Sequence, residues 1–221
     1  MPLKIDLHVH TCYSKDSQIT LEDILTQAKK KGLDGIAVTD HDTVEGAIKI
    51  ANIIERNQKH GRLIIIPGIE VSTVKGHILG INVLTRIPKG LSVEETIERI
   101  HEAGGLAIAA HPKAPFKNGL GLNPKILSFG LDAIEVINSS SFPFQLLTRS
   151  CKKFAERYNL PQTAGSDSHI PEAIGLAYTL IESDESSLDN LIESIRKGLT
   201  RPFGRSMPIK LRVKKALGVK A

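Results

Sequence analysis

Tryptophan is absent from this 221-residue chain, and aromatic residues make up only 4% of it. A core without large rings must rest on isoleucine, leucine, valine and alanine. The same shortage argues against an aromatic platform for stacking single-stranded nucleic acid. Cysteine is scarce too. Cys12 and Cys151 sit in no paired spacing, which argues against a disulfide framework and for a reducing, cytoplasmic setting. Long apolar runs are missing: Leu63 to Ile66, followed by Pro67, is far too short to span a bilayer, so no membrane partner is expected. A strand-like segment begins at Lys4, and no signal peptide is expected ahead of it.

What is present is ordinary for one soluble domain: 41% hydrophobic and 24% charged residues. The net charge of +5 is unevenly placed. Arg205, Lys210, Arg212, Lys214, Lys215 and Lys220 fall in the last stretch, which holds no acid. We therefore divide the chain into a body over 1–204 and a basic tail over 205–221. Ile209, Val213 and Leu217 recur every four residues, the pattern of a short amphipathic helix. We expect that helix to pack on the body; the alternative use is attraction to RNA or DNA.

Strand-like runs alternate with helix-period stretches. The strands are expected at Lys4–Val9, Gly35–Thr39, Leu63–Ile69, Leu106–Ala110, Ala133–Ile137, Gln162–Ala164 and Ala177–Ile181, with a further apolar stretch around His77–Val83 that could add a hairpin arm. Helices are expected over Leu21–Lys31, Val44–His60, Val93–Ala103, Gln145–Tyr158 and Leu188–Lys197. Thr20 and Ser92 stand at helix N-cap positions, and Gly32, Gly104 and Gly198 at stops. Such alternation implies an α/β fold of parallel strands with right-handed crossovers. Seven strands are one short of the common eight-fold barrel.

Metal-ligating residue types fall where these strands end. His8 and His10 close the first and Asp16 follows; Asp40 and His41 close the second and Glu70 the third. His77 comes soon after, His111 ends the fourth, and Asp167 with His169 follow the sixth. Imidazole with carboxylate suits zinc, manganese or iron. In (β/α) barrels the site lies at the carboxyl ends of the strands, so these distant residues would converge on one mouth. Each piece alone is weak: His-x-His can be two core histidines, Asp40–Asp42 a turn before a helix, His111-Pro112 a strand stop. His60 and His101 lie away from strand ends and are read as surface or capping residues.

The strings IDLHVHTCYSKDS, GIAVTDHDT, IPGIEVS with GHILG after it, AIAAHP, IEVINS and TAGSDSH resemble the PHP family, the polymerase and histidinol phosphatase domains, in order and over roughly Lys4 to Phe203. The resemblance implies a distorted seven-stranded (β/α) barrel with a metal cluster at the carboxyl ends of its strands, holding two or three divalent transition metal ions (Zn, Mn or Fe). By that likeness His8, His10, Glu70 and Asp167 would hold one ion, Glu70 would bridge to a second ion held by His77 and His111, and Asp16, His41 and His169 would hold a third. Asp40 would orient a ligating histidine through its free N–H. Cys12 is either a soft ligand or a small filler.

The implied activity is hydrolysis of phosphomonoesters or small nucleotides. Two ions about 3.5–4 Å apart can share a bridging hydroxide and clamp phosphoryl oxygens. If the third ion is absent or weakly held, His41 or His169 is a candidate proton donor to the leaving group, and Asp167 joins them as a catalytic candidate. Lys113 and Arg149, with Lys117 beside the former, are candidate substrate binders. Two other readings are carried: a nuclease that trims nucleic acid ends using the basic tail, and a non-catalytic metal-bound interaction module.

Overall fold

The structure, a computed structural model, describes residues 1–56, 63–114, 118–183 and 187–218. β1 (Leu3–Val9) is buried on both faces from Ile5 onward, as a strand covered by helices on one side and a barrel interior on the other must be. It runs parallel to β2 (Gly35–Val38), and β2 parallel to β3 (Ile64–Ser72). The crossovers are α1 (Leu21–Lys31) and α2 (Glu45–Arg56). α1 starts where Thr20 Oγ1 accepts from Asp23 N at 3.2 Å while Thr20 N donates to Asp23 Oδ2 at 2.9 Å. Such a cap is worth about 1 kcal/mol.

β4 (His77–Ile81) departs from the parallel pattern: it pairs antiparallel with both β3 and β5 (Leu106–Ala109). Only Thr73 to Gly76 separate β3 from β4, and a parallel return needs a dozen or more residues. After α3 (Val93–Glu102) and β5 come β6 (Ala133–Asn138), α4 (Phe144–Arg157) and β7 (Gln162–Gly165), with β5, β6 and β7 parallel. β8 (Ala177–Ile181) pairs antiparallel with β1, and β9 (Thr200–Gly204) antiparallel with β8, on either side of α5 (Leu188–Arg196). The sheet order is β7-β6-β5-β4-β3-β2-β1-β8-β9.

The sheet is a nearly closed, barrel-like α/β structure with nine strands rather than the expected seven, and it is mixed rather than parallel. β9 was not anticipated because Thr-Arg-Pro-Phe-Gly carries a proline and a charge; at the sheet's edge Pro202 lacks only an amide that a central strand would need. Closure comes from the segment after β7, which crosses back to β1: Asp167 N donates to His8 O at 2.8 Å and His10 N to Ser168 O at 3.1 Å. The aliphatic core follows from the missing rings: Ile5, Leu7, Ile66, Leu79, Leu106 and Ile108 pack with Leu191, Ile192 and Ile195 of α5. Helices α1 to α4 cover the outer faces through separate apolar clusters.

α6 (Ile209–Leu217) docks on the body with its faces reversed from the amphipathic expectation. Ile209, Val213 and Leu217 are exposed, while Leu211 packs beside Met207 and Leu176. His60 and Lys117 lie outside the described residues, as does the carboxyl end of the helix expected over Val44–His60.

Candidate metal centre

Glu70, inside β3 and buried, is the middle of the site. Its Oε1 faces His77 Nδ1 at 3.0 Å and His111 Nε2 at 2.9 Å. Its Oε2 faces His8 Nε2 at 3.3 Å, His10 Nε2 at 3.1 Å and His41 Nδ1 at 3.2 Å. Asp167 lies on the other side, with Oδ1 at 3.6 Å from His10 Nε2 and 3.5 Å from His169 Nδ1. Asp16 Oδ2 reaches His169 Nε2 at 2.9 Å and His41 Nε2 at 3.7 Å. The residues expected to hold metal are thus brought together at one mouth, from β1, β3 and β4 and the segments after β1, β2, β5 and β7. Sets whose ligand atoms lie within 4.8 Å of one another are His8–Glu70–His111, His8–His10–Asp167, His10–His41–His169 and His41–Glu70–His77.

The donor set fits a cation. His8 Nδ1 lies 3.0 Å from Glu135 Oε1, and a carboxylate can only accept, so the His8 proton belongs on Nδ1. Nε2 then turns a lone pair toward Glu70 and toward His10 Nε2, which is 3.1 Å away. Lone pairs converging in a buried site repel unless a proton or a metal ion stands between them. Protons do so in part here. Burial pulls His8 and His10 down, but the opposing pull of the carboxylates wins: Glu70, Glu135 and Asp167 raise His8 well above the ordinary histidine value, and Asp167 and Glu70 raise His10. Against its own burial, Glu70 is held well below the usual carboxylate range by His8, His10, His111 and His77. At the rim burial prevails: His169 falls to about 4 and His41 is also lowered.

The backbone is shaped for this convergence. His111 and Asp167 hold left-handed conformations, φ 28° and 52°, at the points where the chain leaves β5 and β7. Gly165 lets β7 approach β1, since a Cβ there would collide with His8 Cβ and the Glu135 carboxylate.

Supporting groups differ from expectation. Asp40 does not orient a histidine: it accepts from Thr11 N at 2.6 Å and Thr11 Oγ1 at 2.7 Å, fixing the loop after β1. Its position at the end of β2 places it beside that loop. The orienting carboxylate is Glu135 of β6, which also accepts from His111 N at 2.7 Å and Asn138 Nδ2 at 2.9 Å. Its signal was available: an acid inside the apolar run of IEVINS needs a buried partner. Ser14 Oγ, 3.2 Å from His10 Nδ1, does the same for His10.

The two cations proposed for substrate are not in the cluster. Lys113 is exposed and donates to Ser150 Oγ of α4 at 3.1 Å, and Arg149 is exposed on α4. His101 pairs instead with Asp132 at 2.8 Å. A cavity of about 660 Å³ opens beside Asp16 and His169, lined also by Cys12, Pro171, Lys214 and Lys215.

A mouth of imidazoles and carboxylates at the carboxyl ends of barrel strands defines a class: α/β proteins that bind divalent metal for hydrolytic chemistry. Comparison with known proteins narrows the class. A family model described as PHP-associated matches residues 149–200. An uncharacterised protein of Methanocaldococcus jannaschii is 41% identical over 62% of this chain and 82% of its own length. A probable phosphatase of Caldicellulosiruptor saccharolyticus is 26% identical over 89% of this chain and 97% of its own. A phosphoribosyl 1,2-cyclic phosphate 1,2-diphosphodiesterase of Eggerthella lenta is 36% identical over 43% of this chain and 37% of its own. The chain belongs to the PHP family of metal-dependent phosphoesterases. Its fold is shared by a two-domain protein of Bacteroides vulgatus containing a predicted PHP-like metal-dependent phosphoesterase, with TM-score 0.73 at 20% identity over 93% of this chain, which spans 65% of that longer one. A lesion-specific endonuclease of Pyrococcus furiosus has the same fold, with TM-score 0.70 at 19% identity over 100% of this chain and 67% of its own.

Proposed function

We propose that this protein hydrolyses small phosphate esters, phosphomonoesters or small nucleotides, with two inner metal ions and one at the rim. The observation that carries this reading is the encirclement of one buried carboxylate, Glu70, by imidazole nitrogens at 2.9–3.3 Å on both of its oxygens. His8, His10, Glu70 and Asp167 would hold one inner ion; Glu70, His77 and His111 the other; Asp16, His41 and His169 the one at the rim. Bound there, divalent ions supply Lewis acidity and make water a usable nucleophile near neutral pH.

The chain's own groups do the rest. Glu135 keeps the His8 proton on the nitrogen that faces away from the cluster. His41 and His169 are held neutral at pH 7 by burial, the form a ligand needs and an acid does not. We therefore assign both to holding the rim ion rather than to protonating the leaving group. Asp167, tethered through its Oδ2, is assigned the same way, as a ligand. The cavity beside Asp16 and His169 is bordered by Lys214 and Lys215, and we assign it to the phosphorylated substrate in place of Lys113 and Arg149. Those same lysines favour the second reading, a nuclease that grips a phosphate backbone; such binding weakens steeply with salt.

The test is to purify the full chain without chelator, measure metal per chain, and follow phosphate release from histidinol phosphate, nucleoside mono- and bisphosphates and a short oligonucleotide. Two or more ions per chain and chelator-sensitive release from small esters support the proposal. Turnover of the oligonucleotide alone, falling with salt, would replace it with the nuclease.

A further inference from the structure

The segment after β6 is held from two directions. Asn138, the last residue of β6, donates its amide nitrogen to Glu135 Oε2 at 2.9 Å and to Asp167 Oδ2 at 3.1 Å. Its amide oxygen accepts from Ser140 N at 3.1 Å and Ser141 Oγ at 3.3 Å. Ser139, Ser140 and Ser141 are buried but belong to no strand or helix, so their carbonyls need partners from elsewhere in the protein. Those partners come from α6. Arg212 donates from Nη1 to Ser140 O at 2.9 Å and from Nη2 to Ser139 O at 3.2 Å and Ser141 O at 3.0 Å. Its Nε donates to Met207 O at 3.1 Å, and Met207 N returns to Ser139 O at 2.8 Å. One planar fork thus gathers three consecutive carbonyls, a geometry a lysine ammonium cannot reproduce.

We propose that Arg212 is a positioning residue for the metal centre. It fixes the Ser139–Ser141 segment, that segment fixes the Asn138 amide, and the amide sets the planes of the Asp167 and Glu135 carboxylates. Asp167 then presents Oδ1 to the cluster while Oδ2 is tethered. Glu135 in turn orients His8 and anchors the His111 backbone. The carboxyl-terminal helix therefore belongs to the site, and cutting the chain after Gly204 would disturb the metal ligands as well as remove surface charge. This inference rests on the reading of Asp167 as a ligand.

The experiment is cobalt(II) titration of the metal-stripped full chain, followed by visible absorption and calorimetry, with thermal unfolding of each stripped protein measured in parallel. Arg212→Ala is expected to weaken the cobalt affinity about 10-fold and to alter the absorption bands. Asn138→Ala should do the same, and the double variant should be little worse than either single one, because both act along one chain of contacts. Leu211→Ala, which loosens the helix through apolar contact alone, should lower the melting temperature and leave affinity and spectrum unchanged. Arg212→Lys keeps the charge without the fork, should still show weakened affinity, and carries the same test if the alanine variant does not fold. Wild-type affinity and spectrum in Arg212→Ala or Arg212→Lys, with only a lower melting temperature, would overturn the proposal. A wild-type chain that binds no cobalt at all would instead overturn the metal reading on which it rests.

Discussion

The inner and outer parts of the mouth are built from the same residue types and behave differently. His8, His10, Glu70, His111 and Asp167 are buried, on strands or the first residues beyond them. Asp16 and His41 sit at the rim, with side chains 52% and 28% exposed. Inside, carboxylates overcome burial and raise His8 and His10 above the ordinary histidine value, because charge in a low-dielectric site must be matched by charge. At His41, on the rim, and at His169, buried beside it, desolvation of the ring outweighs the attraction, so both are lowered. Burial lowers all four rings; carboxylates overcome it at His8 and His10 but not at His41 and His169, where the neighbouring His10 adds repulsion. On the proposed assignment, metal at the inner groups should be held more tightly than metal at the rim.

Glu70→Gln should have the largest effect on the inner groups. It removes the charge shared by both inner groups, and the loss of metal activation is worth several kcal/mol, on the order of 10³-fold in phosphate release. Metal analysis should show loss of the ions that Glu70 would hold on the proposed assignment; full retention would overturn that assignment.

Next in size is the response of the stripped protein to pH. His8 and His10, raised in the folded state, contribute stability that is complete below their ordinary value of 6.5 and is lost as pH rises through the raised values. His169, lowered to about 4, contributes stability that is present above 6.5 and is lost as pH falls toward 4. Thermal unfolding without metal should therefore peak near pH 6.5, and added metal should remove the decline on the alkaline side by taking the place of the protons. A stripped protein whose melting temperature rises steadily from pH 5 to 9 would contradict this account.

Asp16→Asn should act only at the rim, lowering metal content by one ion per chain and phosphate release about 10-fold, the lower end for a group around a metal site. Loss of all metal from this variant would erase the distinction between the two parts. Smallest of all, Lys113→Ala and Arg149→Ala should change kcat/KM less than about threefold, as exposed charges away from the cluster usually do. Lys215→Ala, on the cavity wall, should raise KM by more than either, and steady-state kinetics would sharpen the placement of substrate.

Much of the architecture was legible along the chain. The capping box at Thr20 and Asp23 and the Ser92 cap mark helices that form as their local chemistry requires. The apolar runs of β1, β3 and β5 read as buried strands because both their faces are covered. β9 was hidden by its proline, and the outward stripe of Ile209, Val213 and Leu217 shows that a correct helix period does not say which face docks.

Ligand chemistry and the alternation of elements are local or repeating properties, which is why the chain alone pointed to an α/β fold with metal-ligating residues at its strand ends, and its motifs to a resemblance to the PHP family. That Glu135 rather than Asp40 lies against His8, that the sheet has nine strands, and that Arg212 gathers the Ser139–Ser141 carbonyls emerged only on folding. The contacts of Glu135 with His8 and of Arg212 with the serine carbonyls join residues 71 to 127 positions apart. No periodicity records them, because each depends on where the folded chain happens to bring a lone polar group within 3 Å of another.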